Sequence, residues 1–369
     1  MMRKWTLALL IVILLVSVPV ASASSSSLPP TFVSVVLDGK KIWFPDAQAY
    51  IDANKRTLVP VRFVAESLGA KVGWEGKSRS VPISRGGQDI RLTIGSATAI
   101  VNGKAVELDT QAVMTGGRTF VPLRFVSEVL GAEVEWEGKT ATVLIQTKEP
   151  SKADTDEWGR LIRKTNLPKN AADYPYILAD IPNEMYELAY PYSLPANSKV
   201  SAKLYGIIPE YNKKNIDIWL GRLKTFGGLW LNVDYQTIDD AWAQAVFATK
   251  MQNSNAELKY IRQYVDWVKT NKIQVTGYLE PEPSMIYYDG FGSNHIRVKF
   301  RVKFDSFHKP EQLIYDEWFP KNASFEKNVW YEGYSDIKMV TNVGGDWGST
   351  LKISPSTSLF FNHTISKVE

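Results

Sequence analysis

Arg56-Thr57-Leu58-Val59-Pro60-Val61-Arg62-Phe63-Val64-Ala65-Glu66-Ser67-Leu68-Gly69-Ala70 recurs as Arg118-Thr119-Phe120-Val121-Pro122-Leu123-Arg124-Phe125-Val126-Ser127-Glu128-Val129-Leu130-Gly131-Ala132, at a constant offset of 62. The match runs on through Val72-x-Trp74-Glu75-Gly76-Lys77 and Val134-x-Trp136-Glu137-Gly138-Lys139. Upstream, Leu37-Asp38-Gly39-Lys40 echoes Val101-Asn102-Gly103-Lys104 at an offset of 64, so a two-residue indel separates the two anchors. Ungapped identity this dense marks an internal repeat, and the repeat organises the first third of the chain.

Each unit has a legible local shape. Asp38-Gly39 and Asn102-Gly103 lie between apolar runs and predict tight hairpin turns. Pro60 and Pro122 suit the start of a helix, where a missing N–H costs little. Val61, Val64, Ala65 and Leu68 then form one apolar helical stripe. Gly69 and Gly131 stand where a helix stops in a left-handed cap. Val72 and Trp74, like Val134 and Trp136, alternate as on one strand face, which places both indoles in the core. The unit therefore reads as hairpin, short helix, hairpin, and two units pack as one α+β domain over about 31–148. Arg62 and Glu66, like Arg124 and Glu128, are spaced i,i+4. Such a pair adds only ~0.3–0.5 kcal/mol, so each Arg is expected to tether the neighbouring loop instead.

The motif R-T-[LF]-V-P-[VL]-R-F-V-x-E-x-L-G-A-x-V-x-W-E-G-K resembles the copper amine oxidase N-terminal domain family, also described as a stalk domain. Its two copies cover under a third of the chain. The resemblance implies an extracellular α+β accessory module that presents or docks something else. It does not imply oxidase chemistry. That chemistry needs a quinone-forming Tyr in a T-x-x-N-Y-[DE] setting and copper held by three His, two of them as H-x-H. The chain has no Asn-Tyr dipeptide, and its histidines are His295, His308 and His363 alone.

The opening residues set an expected address. A basic start at Arg3 and Lys4, an apolar run from Leu7 to Val18 and small residues at Ala21 and Ala23 predict a signal peptide over 1–23. Residues 24–30 read as a flexible arm. The chain has 43 Lys+Arg against 39 Asp+Glu, a net charge of +4 that falls to +2 without the leader. No basic stripe runs along it, so nucleic acid is not an expected partner. Cysteine is absent, which removes disulfides, thiol nucleophiles and thiolate metal sites. No cofactor and no metal are expected, and no membrane span is expected beyond the leader.

Residues 149–155 have a linker composition. Beyond them every Tyr except Tyr50 is found, marking a different domain over 156–369. A helix is predicted over 154–165, a surface wrap over 174–192, and strong helices over 213–226, 237–251 and 256–270. After Lys272 the period becomes two, as in Ile296-x-Val298-x-Phe300-x-Val302-x-Phe304. Helices first and an antiparallel curved sheet after make this half α+β as well. Candidate chemistry is sparse. Glu280-Pro281-Glu282-Pro283 presents two carboxylates on a rigid extended segment, read as a solvated strand end and, alternatively, as a glycosidase-type pair. Tyr278, Tyr287, Tyr288 and Trp347 offer rings that can stack on sugars or peptides. Tyr278, Glu280, Glu282, Tyr287, Tyr288 and Trp347 are therefore the candidate binding residues.

These features predict a secreted, non-catalytic binding or docking protein of the bacterial cell envelope, its stalk-like module presenting a C-terminal domain to cell-wall glycan, peptide or an envelope protein. One alternative is an envelope hydrolase of polysaccharide or wall polymer, with Glu280 or Glu282 and Asp234 as acid and base. Another is a structural or assembly factor contacting envelope proteins.

Overall fold

The computed structural model describes residues 28–147, 154–189, 207–252, 255–289, 292–315, 325–355, 357, 359–360 and 364–368. The expected leader, residues 24–27 of the arm, residues 149–153 of the expected linker, Tyr190, Tyr192 and His363 lie outside the described residues.

The first repeat runs β1 (Phe32–Leu37), β2 (Lys40–Lys41), β3 (Ala49–Ile51), β4 (Thr57–Pro60), α1 (Val61–Ser67), β5 (Lys71–Val72) and β6 (Ser80–Arg85). Strand β7 (Gln88–Thr93) then leads into the second repeat. That repeat runs β8 (Thr98–Val101), β9 (Lys104–Glu107), β10 (Val113–Thr115), β11 (Arg118–Pro122), α2 (Leu123–Val129), β12 (Glu133–Glu137) and β13 (Thr142–Gln146). Asp38-Gly39 and Asn102-Gly103 turn with positive φ at both residues, as a two-residue hairpin requires. The helical stripe of Val61, Val64, Ala65 and Leu68 is buried, and Gly69 and Gly131 both cap at φ +81°. Each unit carries two strands ahead of its helix that the sequence reading did not include. The Arg-Thr-x-Val-Pro motif itself forms the second of them.

That strand joins the repeats. β4 and β11 pair antiparallel with Val59 opposite Val121, Leu58 opposite Pro122 and Pro60 opposite Phe120. Because 59 and 121 are equivalent positions, a local two-fold axis passes between them. The axis is repeated in charge. Arg118 of the second unit pairs with Asp46 of the first (Nε–Oδ1 3.1 Å), and Arg56 of the first pairs with Asp109 of the second at 2.6 Å. These pairs are part-exposed and contribute little stability, but they set orientation. β1 of the first unit pairs parallel with β13 of the second. On the other side of the axis β7 intervenes between β6 and β8, so the equivalent contact is not made.

Two expectations about this module are corrected. Trp74 and Trp136 are not core residues; they are 45% and 39% exposed. A seven-residue helix is only ~10 Å long. Its cover ends before the strand does, and Trp136 lies over the Gly138 turn, where an added Cβ would sit 3.2 Å from its indole nitrogen. Arg62 and Arg124 do not tether loops; they reach Glu66 and Glu128 at 3.7 and 3.9 Å on exposed helix faces.

In the C-terminal region α3 (Asn183–Glu187), α4 (Lys213–Trp230), β14 (Val233–Asp234), α5 (Asp240–Thr249) and α6 (Asn255–Thr270) precede β15 (Gln274–Tyr288), β16 (Asn294–Ser306) and β17 (Trp330–Val340). β18 (Lys352–Ile353) and β19 (Thr364–Lys367) complete the described strands. The sheet order is β14-β15-β16-β17-β18, with β19 also on β17, and every pairing is antiparallel. This curled sheet and the helices ahead of it are the expected α+β arrangement. The three strong helices appear where periodicity placed them. Trp219, Leu223, Phe226, Trp242, Ile261 and Val265 face Ile296, Val298, Phe300, Val302 and Phe304 in one core.

Residues 154–165 are not helical. The Asp156 carboxylate accepts the backbone N–H groups of Trp158 (2.9 Å) and Arg160 (2.8 Å), a local competition that breaks a helix before it starts. The described part of 174–192 does not wrap the surface. Tyr174 and Tyr186 stack edge to face at 4.9 Å and are buried with Ile177, Leu178, Ile181 and Met185. This segment and the repeat module together cover the polar face of β15–β17, opposite the helices.

Candidate functional site

Glu280 and Glu282 lie where β15 departs from its ladder. Pro281 pairs with Val298 and Ile286 with Ile296, so residues 282–285 stand against Arg297 alone. Pro281 and Pro283 lack the N–H groups a ladder needs, and proline in a sheet is confined to edges and such bulges. The bulge carries Glu282 out of the sheet plane and toward the repeat module.

There the two carboxylates meet three cations from three parts of the chain. Lys41 Nζ, on β2, lies 3.1 Å from Glu280 and 2.9 Å from Glu282. Arg160 bonds Glu282 at 3.0 Å and Asp180 at 2.8 Å. Lys224, on α4, is 3.9 Å from Glu280 and donates to Thr140 O at 2.6 Å. Ser34 Oγ, on β1, lies 2.8–2.9 Å from both Glu280 oxygens, and the backbone N–H of Lys41 donates to Asp180 at 2.6 Å. Lys41, Arg160 and Lys224 balance Asp180, Glu280 and Glu282, so the cluster is neutral as a whole and enclosed.

The electrostatics follow from that enclosure. Burial alone would raise the Glu280 carboxyl, but Lys41, Lys224 and Ser34 outweigh it and hold the group down at about 2. Burial pushes Lys224 down to about 8, against the pull of Glu280. Asp156, just outside the cluster, is pushed up to about 6 by burial, despite Arg160 and the backbone N–H groups it accepts. The pH dependence has two opposed limbs. Glu280 is depressed, so its contribution to stability is present above its ordinary 4.5 and is lost as pH falls from there toward 2. Asp156 is raised, so its contribution is present below its ordinary 3.8 and is lost as pH rises through about 6. Urea unfolding of the chain between pH 2 and 7 is therefore expected to show stability rising to about pH 4.5 and then sagging. Asp156→Asn, which keeps the accepting oxygen, should flatten the sag and leave the acid limb in place. An unchanged sag in that variant would contradict the assignment.

Around the cluster the module and the C-terminal sheet meet along a continuous seam. Tyr278 donates its hydroxyl to Phe44 O at 2.8 Å, and Arg301 donates to Pro45 O at 3.0 Å. The Trp43 ring lies between Lys41 and Lys299, at 5.1 and 4.9 Å. Gly221 of α4 lets the helix approach the turn before β13, since a Cβ there would fall 2.5 Å from Lys139 O. Gly221→Val should therefore cost about 1–3 kcal/mol in urea unfolding by forcing helix and module apart. A neutral result would show that the approach is not tight. A cavity of about 970 Å³ opens beside the seam, lined by Asp38, Lys41, Trp43, Phe63, Glu66 and Leu161 among others.

The remaining candidate residues are distributed through the structure. Tyr287 is buried, stacks on His295 at 4.9 Å and donates to Asp336 at 3.1 Å. Burial pushes His295 down, against the pull of Asp289. Trp347 is half-buried and stacks on Trp219 at 6.0 Å. Tyr288 is 40% exposed. The picture of Glu280-Pro281-Glu282-Pro283 as a solvated strand end is corrected: both carboxylates are enclosed in the seam. Sequence reasoning missed Ser34, Lys41, Arg160, Asp180 and Lys224, whose partners lie too far along the chain to be seen. One signal was present. Lys41 stands where the second repeat has Ala105, a charge at a position whose counterpart has none.

Comparison with known proteins bears on the module alone. Residues 36–145 match the family model of the copper amine oxidase N-terminal domain. A protease inhibitor of Brevibacillus choshinensis is 31% identical over 122 residues, 33% of this chain and 36% of that protein. A primary amine oxidase of Klebsiella aerogenes is 31% identical over 80 residues, 22% of this chain and 11% of the enzyme. The chain thus spans about a third and about a tenth of the length of these relatives. What is matched is an accessory domain, and amine oxidase activity has no support in it. The C-terminal half matches no family model.

Proposed function

We propose that this chain is a secreted, non-catalytic docking protein of the bacterial cell envelope, in which the stalk-like module and the C-terminal domain act as one rigid body. The observation that carries this reading is the enclosure of Glu280 and Glu282. A general acid or base must reach substrate, and a glycosidase pair needs ~5–9.5 Å of open space between its carboxyls. These two are instead shared among Lys41, Lys224 and Arg160. The address is part of the proposal; it rests on the leader pattern and on the module's resemblance. No helix among the described residues is long and apolar enough to cross a membrane.

The test is a paired assay. Purified chain is mixed with isolated wall polymer, polysaccharides and model esters, and both binding and turnover are measured. Retention on wall material or on an envelope protein without product formation supports docking. Turnover of any of these substrates supports the hydrolase reading and removes this one. One relative favours a second reading. The Brevibacillus choshinensis relative is a protease inhibitor, so a protease is a specific partner to try. Stoichiometric loss of protease activity on adding the chain would select that reading over a wall polymer.

A further inference from the structure

Cysteine is absent, so no disulfide can join the repeat module to the C-terminal region. The seam brings together a different pair of groups that can form a bond. Lys41 Nζ donates to Glu282 Oε1 at 2.9 Å and to Glu280 Oε2 at 3.1 Å. The side chains of Lys41, Glu282 and Glu280 are 5%, 0% and 8% exposed. An amine and a carboxyl group condense when both are neutral, when a further group carries the proton, and when water is kept away.

Named residues meet each condition. Ions taken out of water are costly, so enclosure favours moving one proton from the Lys41 ammonium to Glu282, which leaves a neutral amine beside a neutral acid. A nitrogen hydrogen-bonded to a carboxyl oxygen stands close to the ~3–3.5 Å from the carbonyl carbon at which attack begins. Glu280 is a separate carboxylate on the same nitrogen. It is held at about 2, burial being outweighed by Lys41, Lys224 and Ser34, so it is ionised and able to take a proton. Arg160 donates to the other Glu282 oxygen, Oε2, at 3.0 Å, which puts a cation where negative charge develops during attack. Condensation also preserves the charge balance. It consumes one cation and one anion, leaving Arg160 and Lys224 against Asp180 and Glu280.

We propose that Lys41 and Glu282 join as an amide, a cross-link the chain makes in itself without a co-substrate. Of the three protons on the Lys41 ammonium, one moves to Glu282 Oε1. The Nζ lone pair then forms a bond to Cδ. Glu280 takes a second proton from Nζ and delivers it to Oε1. The Cδ–Oε1 bond breaks, and its electron pair leaves with the oxygen as water. Oε2, on Arg160, stays as the amide oxygen, and the third proton stays on the amide nitrogen. Well-oriented groups reach effective molarities of ~10⁵–10⁸ M, far above that of water, so condensation prevails over hydrolysis in an enclosed seam. The inference rests on the seam alone and does not depend on the docking reading. It fixes the module to the C-terminal region whatever the chain binds.

Intact mass spectrometry of the purified, denatured chain tests it. The mass should fall short of that of its own sequence by one water. A tryptic digest should yield a branched peptide joining the fragments that hold Lys41 and Glu282. Lys41→Arg keeps the cation and cannot form this amide, so its mass should be complete. Glu280→Gln keeps the amine and the acceptor but loses the proton carrier. Followed from refolding out of urea, its folded fraction should lose water about a hundredfold more slowly or worse. The unaltered chain decides the matter even where a variant fails to fold. A complete mass in that chain, or a branched peptide between other residues, would overturn the proposal. So would loss of water from Lys41→Arg, or an unslowed rate in folded Glu280→Gln.

Discussion

Glu282→Gln should destabilise the folded chain by about 3–5 kcal/mol, read from urea unfolding at neutral pH. Glu282 is fully buried and accepts from Lys41 and Arg160 at 2.9 and 3.0 Å. A neutral amide leaves a net positive charge inside the protein, and a lone buried charge costs several kcal/mol. The buried pairs are not by themselves evidence of high stability, since desolvation consumes most of the attraction; the large effect comes from removing one partner. The hydrolase reading expects a different result. There Glu282→Gln removes turnover and leaves a stable protein that still binds. A folded, equally stable variant would therefore count against the seam.

Arg297→Met should also cost about 3–5 kcal/mol, by the same reasoning applied on the polar face of the sheet. Arg297 is buried and holds Asp336 bidentately at 2.7 and 2.8 Å. Its remaining donors reach Met185 O and Leu188 O at 2.8 and 2.9 Å. It thereby pins the segment around α3 onto β16 and β17. Methionine keeps much of the volume and none of the donors, so Asp336 becomes an uncompensated buried carboxylate beside Tyr287. The loss should fall when Asp336→Leu is added, because a matched apolar pair replaces a matched ionic one. A double variant as unstable as the single would show that the ion pair is not what links these elements.

These effects explain which parts of the architecture were readable in advance. The repeat, its turns and its short helices depend on neighbours within a few residues, so Asp38-Gly39, Val64 and Gly69 announce them. The long helices and the strands β15–β17 announce themselves by period. The seam is different in kind. Ser34 and Lys41 meet Glu280 across about 240 positions of sequence, and nothing local distinguishes a carboxylate bound for solvent from one bound for a buried lysine. In sequence the prolines around Glu282 suggest a stiff exposed end, whereas they release a central strand from its ladder. Trp74 and Trp136 failed for a related reason. Alternation gives the face of a strand but not where its cover stops. The difference between Lys41 and Ala105 was the one trace of the seam in the sequence, visible only by comparing the repeats.

The central claim is that module and C-terminal domain are a single cooperative body joined through the buried cluster of Lys41, Arg160, Lys224, Asp180, Glu280 and Glu282. Differential scanning calorimetry of the intact chain tests it most directly. One transition is expected at neutral pH, with calorimetric and van't Hoff enthalpies equal. Two separate transitions in the unaltered protein would mean that the halves melt independently, and the account of the seam would be wrong.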